Sequence, residues 1–454
     1  MLEKLRDILG KVSSGYADIR FEIWKVTDIS MVNGRIESSS TNIISGGSVR
    51  FFNKGTFGFA TFTRPEDAEK ALSSAEKMSK LIKTDKEVEL YPDKPKKDKV
   101  TPSVSIHPET VSFDEKVELV KRYHNIFTGN EKFSAVSVVY REELLTRYYL
   151  NTEGTEIIEE RPYCGVAATV VGKEGNILQR AYRSFGDLRG YETVLNREKD
   201  FEEIKKDVLD LLKADKVEGG VYTVILDPQI AGVFIHEAFG HLSEADHVYG
   251  NEKLKEIMTL GKTMASEILS VVDDGSMVGE RGYIAYDDDG VKSRKTYLIK
   301  NGKLVGRLHS RYTAALMNEE PTGNSRAIRF NYMPLVRMTN TYIENGDKTF
   351  EELLEGVDKG LYVVGALGGQ TELEMFTFSA AKAYKIEKGK ITEPVRDVVL
   401  SGNLFETLKN IDGVGNDLKI FGGLGGCGKG GQMPLPVSNG APHIRIRNVV
   451  IGGK

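Results

Sequence analysis

A chain of 454 residues is long enough for two or three domains and a sizeable core. With 40% hydrophobic and 28% charged residues it reads as a soluble globular protein, and 62 basic against 66 acidic residues exclude a dedicated nucleic-acid binder. Two cysteines, Cys164 and Cys427, exclude a disulfide-stapled secreted scaffold.

The opening MLEKLRDILGKVSS is a charge-laced amphipathic helix with no apolar h-region, so no signal peptide is expected. No apolar run approaches the roughly 20 residues needed to cross a bilayer, and a soluble cytoplasmic protein without membrane contact is expected. Ile19, Phe21 and Ile23 alternate with charged residues, the sign of a half-buried strand. Asn33-Gly34 signals a hairpin, and residues 49–62 read as another. Beyond Pro65, residues Ala68, Ala71, Leu72, Ala75 and Ile82 keep helical spacing. Residues 84–104, rich in Lys, Asp and Pro, read as a solvated connector. Ser112 and Glu115 form a capping box for the next helix. Strand patterns then run to about residue 186, including separate FSAVSVVYRE and LLTRYYLN segments, and a charged helix at 200–214 closes this half.

GGVYTVILD, 219–227, opens a second half, which places the domain boundary between residues 217 and 218. A long helical stretch is expected near 254–270, followed by short strands with turns at Asn301-Gly302, Asn345-Gly346 and Lys388-Gly389. Thr349 and Glu352 cap a further helix. Strands joined by tight turns imply largely antiparallel sheet, because parallel pairs need long crossovers. The fold class is therefore α+β in two domains, 1–217 and 218–454.

The most informative stretch is LDPQIAGVFIHEAFGHLSEADH, 226–247. Asp227 suits an N-cap and Pro228 the first helical position. On the helix that follows, His236, Glu237 and His241 spell H-E-x-x-x-H. The zinc-peptidase pattern H-E-x-x-H puts its histidines on one helix face. Here they are five apart, about 140° around a regular helix against about 40° for a spacing of four. Two ligands of one ion therefore require a distorted helix. A π-bulge would align them, with Gly240 the place where the backbone relaxes, or the helix ends between the two histidines.

A catalytic zinc takes three protein ligands and an open position. Candidates for the third are Glu244, Asp246, His247, His443 and Cys427. Cys427 lies among seven glycines between 422 and 431. This run matches G-x-G-x-x-G and G-x-x-x-x-G-K only formally: Gly430 follows Lys429 where a nucleotide loop needs Ser or Thr, and MPLP cannot open a helix. A glycine-dense loop instead allows close backbone approach, and zinc readily takes a thiolate.

Taken together, HEAFGH (236–241), VVDDGSMV (271–278), PTGN (321–324), RMTNTY (337–342), GGQ (368–370), VGNDL (414–418) and CGKGGQ (427–432) resemble the TldD/PmbA (TldD/TldE) family, TldD-type members in particular. The likeness covers nearly all of the second half and is carried in the first by GGSVRFF and the GFA at 58–60. PmbA-type members lack the metal motif. The resemblance implies a zinc-dependent peptidase acting on unfolded or short peptides, in peptide-precursor processing and on antitoxin-type substrates. It implies work with a PmbA/TldE-type partner subunit or as a homodimer, and carries the old label of modulator of DNA gyrase. It implies His236, His241 and Cys427 as metal ligands and Glu237 as catalytic base, with a metal-activated water as nucleophile.

Two rivals stand beside this reading. Cys427 could instead be a nucleophile activated by His443, or the chain could be a non-enzymatic binding subunit that modulates another protein. Arg337, His309 and Tyr342 are candidates for stabilising an oxyanion. Cys164, in a strand pattern rich in small residues, reads as a buried filler.

Overall fold

The computed structural model describes residues 1–81, 87–372 and 374–452, so Ile82 and the first residues of the expected connector lie outside it. The class is α+β with largely antiparallel sheets, as the patterns predict.

The first half is built on β1 (Tyr16–Val32), β2 (Arg35–Asn53), β3 (Thr56–Phe62), β4 (Lys97–Val100), β5 (Phe133–Asn151), β6 (Glu156–Glu174) and β7 (Ile177–Asp187), in the order β3-β2-β1-β5-β6-β4 with β7 also on β6. Both expected hairpins form. Asn33-Gly34 turns with φ of 47° and 82°, and Lys54-Gly55 with 48° and 106°, the positive values that a two-residue hairpin matching strand twist demands. FSAVSVVYRE and LLTRYYLN are not two strands but the continuous β5, paired with β1 from Asp18 to Val32. Helices α1 (Leu2–Leu9) and α2 (Ala68–Leu81) lay Leu5, Ile8, Ala71 and Leu72 on Ile19, Phe21, Val49 and Phe51. Helix α3 (Phe113–Asn125), started by the Ser112–Glu115 capping box, and α4 (Glu198–Lys213) pack Leu119, Tyr123, Phe201 and Ile204 on Val138, Val166 and Val170.

The opposite face of β1 departs from the half-buried expectation. Asp18, Arg20 and Glu22 are each only 3% exposed, because the second half of the chain lies over them. Arg20 and Arg147 both reach Asp288 at 2.5 Å, Arg147 also reaches Glu159 at 2.7 Å, and Arg50 joins Asp18 and Asp289 at 2.7 and 2.8 Å. Buried charges persist only when paired. An alternating pattern marks the polar face but does not distinguish water from a buried ionic seam.

In the second half, strands Gly220–Leu226, Lys359–Glu372, Met375–Glu387, Val399–Asn403 and Ile444–Gly452 pair into a closed ring. A six-stranded mixed sheet, which includes Val271–Asp274, Asn340–Ile343 and Ser438–Ala441, stands beside it. The helix expected near 254–270 is short, Glu252–Ile257. It ends before Gly261, which has φ of 88°, and the rest is a turn-rich segment that buries Met264, Ala265 and Leu269. Asn301-Gly302 and Lys388-Gly389 turn with positive φ, whereas Asn345-Gly346 makes no hairpin: the Gly346 amide donates to the Gly415 carbonyl at 2.7 Å. A capping box at Thr349 and Glu352 starts the helix Phe350–Leu354.

Helix α5 (Pro228–Ile235) packs against both the ring and the mixed sheet. A Cβ on Gly232 would lie 2.8 Å from the Gly440 amide nitrogen, so glycine sets how closely α5 approaches the sheet. No helix among the described residues is long and apolar enough to cross a membrane.

Candidate metal centre

Asp227 caps α5 by accepting the Ile230 amide at 2.9 Å, and Pro228 occupies the first turn. The helix then changes pitch. Residues His236–Gly240 form a π-helical turn in which the His241 amide donates to the His236 carbonyl. This single wide turn absorbs the extra residue of H-E-x-x-x-H and brings the two imidazoles together, with ring centroids 5.4 Å apart. Gly240 serves differently from the expectation. It has ordinary right-handed helical angles, and glycine is required because a Cβ there would lie 2.0 Å from Met338 Sδ.

Cys427 arrives from a separate element, the strand Cys427–Lys429, paired with Gln432–Leu435. Its Sγ is 3.3 Å from His241 Nε2, and one donor atom from each of His236, His241 and Cys427 lies within 4.8 Å of the others. Burial pushes the Cys427 thiol up, but hydrogen bonding and charge from His236 and His241 outweigh it and hold the thiol at about 5. For His241 burial works against the charged ring, yet its bonds to Cys427 and Glu244 raise it to about 10.

This donor set fits zinc. Imidazole nitrogen and thiolate sulfur are both donors that zinc takes, at about 2.0–2.1 and 2.3 Å. His236 Nδ1 is buried with no hydrogen-bond partner. Glu237 Oε2 stands 3.8 Å from His241 Nε2, and both side chains are partly exposed, at 30% and 22%.

The other sequence candidates take different places. Glu244 is fully buried behind His241, its Oε2 3.2 Å from Nδ1. Burial raises this carboxyl, but His241 and Lys429 bring it down to about 2. Asp246 pairs with Lys429 at 2.7 Å. His247 is exposed, although partial desolvation and the Lys429 charge lower its pKa. His443 bonds Asp417 at 2.7 Å and Tyr362 at 3.1 Å rather than Cys427, so the structure does not supply the base expected for the cysteine-nucleophile reading. His309 is buried on Thr313 and Glu319, and Tyr342 lies in the strand Asn340–Ile343.

Arg337 is fully buried and donates to the carbonyls of Cys427 at 2.9 Å and Gln432 at 3.4 Å. It supports the thiol loop rather than facing a substrate. Asn324 donates to the Arg337 carbonyl at 3.0 Å and to Asp273 Oδ2 at 2.8 Å, and Asp273 also accepts from Thr339 and Thr341. The motifs VVDD, PTGN and RMTNTY thus meet in one buried network behind Cys427. Sequence reading missed this role, and the only signal for it was that short polar runs recur without hydrophobic periodicity.

Three family profiles span the chain: PmbA/TldA metallopeptidase domain 1 at 17–79, the central domain at 106–215 and the C-terminal domain at 219–453. The chain belongs to the PmbA/TldD metallopeptidase family. Relatives agree along their length. A metalloprotease of Synechocystis is 38% identical over 452 residues, covering 99% of this chain and 97% of the relative. A zinc metalloprotease TldD homolog of Saccharolobus solfataricus is 30% identical over 447 residues, covering 98% of each. The fold is shared with TldE from Thermococcus kodakarensis, at a TM-score of 0.78 and 21% identity over 100% of both chains. It is shared also with a Thermotoga maritima protein proposed as a modulator of a DNA gyrase, at 0.81 and 22% over 100% of both.

Proposed function

We propose that this protein is a zinc-dependent peptidase in which His236, His241 and Cys427 hold the ion and Glu237 is the general base. The observation that carries the reading is the π-turn, which overcomes the unfavourable five-residue spacing and directs both histidines toward the Cys427 sulfur. When bound there, zinc would lower the pKa of a coordinated water toward about 7 and polarise a scissile carbonyl.

The chain's own residues supply the remainder. Glu237, beside His241 and partly exposed, accepts a proton from the attacking water and delivers it to the leaving amine. Burial of His236 and Cys427 excludes solvent from the ligand side of the site. Unfolded or short peptides are the substrates that suit it, including peptide precursors and antitoxin-type proteins, because an extended backbone can be held without reading its sequence. A TldE/PmbA-type partner or a second copy of this chain completes the working assembly. A cytoplasmic setting fits two free thiols.

The test is Glu237→Gln in zinc-loaded protein, alone and with a partner subunit. Hydrolysis of an unstructured peptide should fall about 10²–10⁴-fold while zinc content is kept. Unchanged hydrolysis would remove Glu237 from the mechanism, and chelator-insensitive hydrolysis would remove the metal.

A further inference from the structure

Lys429 follows Cys427 by two residues on the same short strand, across an irregularity in its pairing with Gln432–Leu435. Its side chain is 8% exposed, and Nζ lies 2.9 Å from Glu244 Oε2, 2.7 Å from Asp246 Oδ1 and 2.9 Å from the Val336 carbonyl. An ammonium has three hydrogens, and each has an acceptor. Glu244 is fully buried, and its Oε2 is shared between Lys429 and His241 Nδ1. The contacts close a circuit: from Cys427 along the strand to Lys429, across to Glu244, on to His241, and from His241 Nε2 back to the sulfur at 3.3 Å.

Resting on the zinc reading above, we infer that Lys429 and Glu244 are positioning residues that assemble the metal site before the ion arrives. A charged carboxylate only accepts hydrogen bonds, so Glu244 holds a hydrogen on His241 Nδ1 and leaves Nε2, the nitrogen that faces Cys427, as the one to take the metal. A buried carboxylate is costly without a counter-charge. Lys429 supplies it and fastens the thiol strand to the histidine segment. The same ammonium stands between Glu244 and Asp246, which with His247 form the second group of closely spaced possible ligands.

The experiment measures zinc affinity by chelator competition, the cobalt absorption spectrum as a signature of thiolate ligation, and the unfolding midpoint of the metal-free protein. It compares wild type with Glu244→Gln, Lys429→Met, Asp246→Asn and the Glu244→Gln/Lys429→Met pair. Each of the first two changes should weaken zinc binding about 10–100-fold and alter the cobalt spectrum. The double variant should lose no more than its worse parent, because the lysine acts through the carboxylate. Asp246→Asn, which removes the charge of a partly exposed partner of Lys429, should give a smaller loss and keeps the test independent of folding in the other variants. Variants that bind zinc like wild type, losses that add, or losses that merely follow the unfolding midpoint overturn the inference. Wild-type protein that takes up neither ion overturns the zinc reading and this inference with it; wild-type uptake with unaltered variants overturns this inference alone.

Discussion

The amide of His241 donates to the carbonyl of His236, a bond spanning five residues where a regular helix spans four. The approach of the two imidazoles to each other depends on that one widened turn.

Gly240 should be intolerant of even a methyl group. In Gly240→Ala the new Cβ meets Met338 Sδ at 2.0 Å, and Met338 is fully buried. Overpacking of this kind costs about 1–3 kcal/mol, which urea unfolding would register together with a fall in bound zinc. Adding Met338→Ala should return part of the zinc binding, and no recovery would mean that the glycine serves the backbone rather than the packing.

Zinc should stabilise the fold through Cys427. At free zinc about 100-fold above its dissociation constant the gain is about 2.7 kcal/mol, visible as a rise in Tm that a chelator reverses. Cys427→Ser should lose most of that rise, whereas Cys164→Ser should keep it, since Cys164 is buried in the first half beside Tyr140.

His443→Ala should leave zinc binding and peptide hydrolysis close to wild type, because this ring is engaged by Asp417 and Tyr362. Loss of hydrolysis with zinc retained would revive the cysteine-nucleophile reading.

The ionic seam gives the fold an acid limit. Burial raises the Asp288 carboxyl, but the guanidiniums of Arg20 and Arg147 outweigh it and hold it at about 2. The folded value lies below the ordinary one of about 3.9, so the stabilisation is fully present above that range. It is lost as pH falls through about 2. Asp288→Asn should destabilise the protein at neutral pH by about 3–5 kcal/mol, the usual penalty for breaking a buried pair. The gap between variant and wild type should narrow in urea titrations repeated at pH 4, 3 and 2.

Much of this molecule is legible from its residues because local rules apply without competition. Asn33-Gly34 and Lys388-Gly389 need positive φ, Ser112 and Thr349 cap helices with Glu three residues on, and Asp227-Pro228 starts α5. That two ligands five residues apart need a bulge or a helix end between them also follows from helix geometry. Tertiary context hides the rest. The alternation of Asp18, Arg20 and Glu22 says only that one face is polar, and the burial of that face depends on residues more than two hundred positions away. The run near 254–270 is helical only to Ile257 and then folds as turns, with Met264 and Leu269 drawn into the core of the second half. Lys429 looks like one more polar residue in a glycine loop, and its partners Glu244 and Asp246 belong to another element.

The sulfur of Cys427 and the ring of His241 are separated by 186 positions in the chain. During synthesis both histidines leave the ribosome long before the thiol that faces them. The proposed peptidase would therefore stay inert while most of its own unfolded chain is within reach, and gain the capacity to cut only after its late-made strand has docked. Order of manufacture would then safeguard the enzyme against digesting itself.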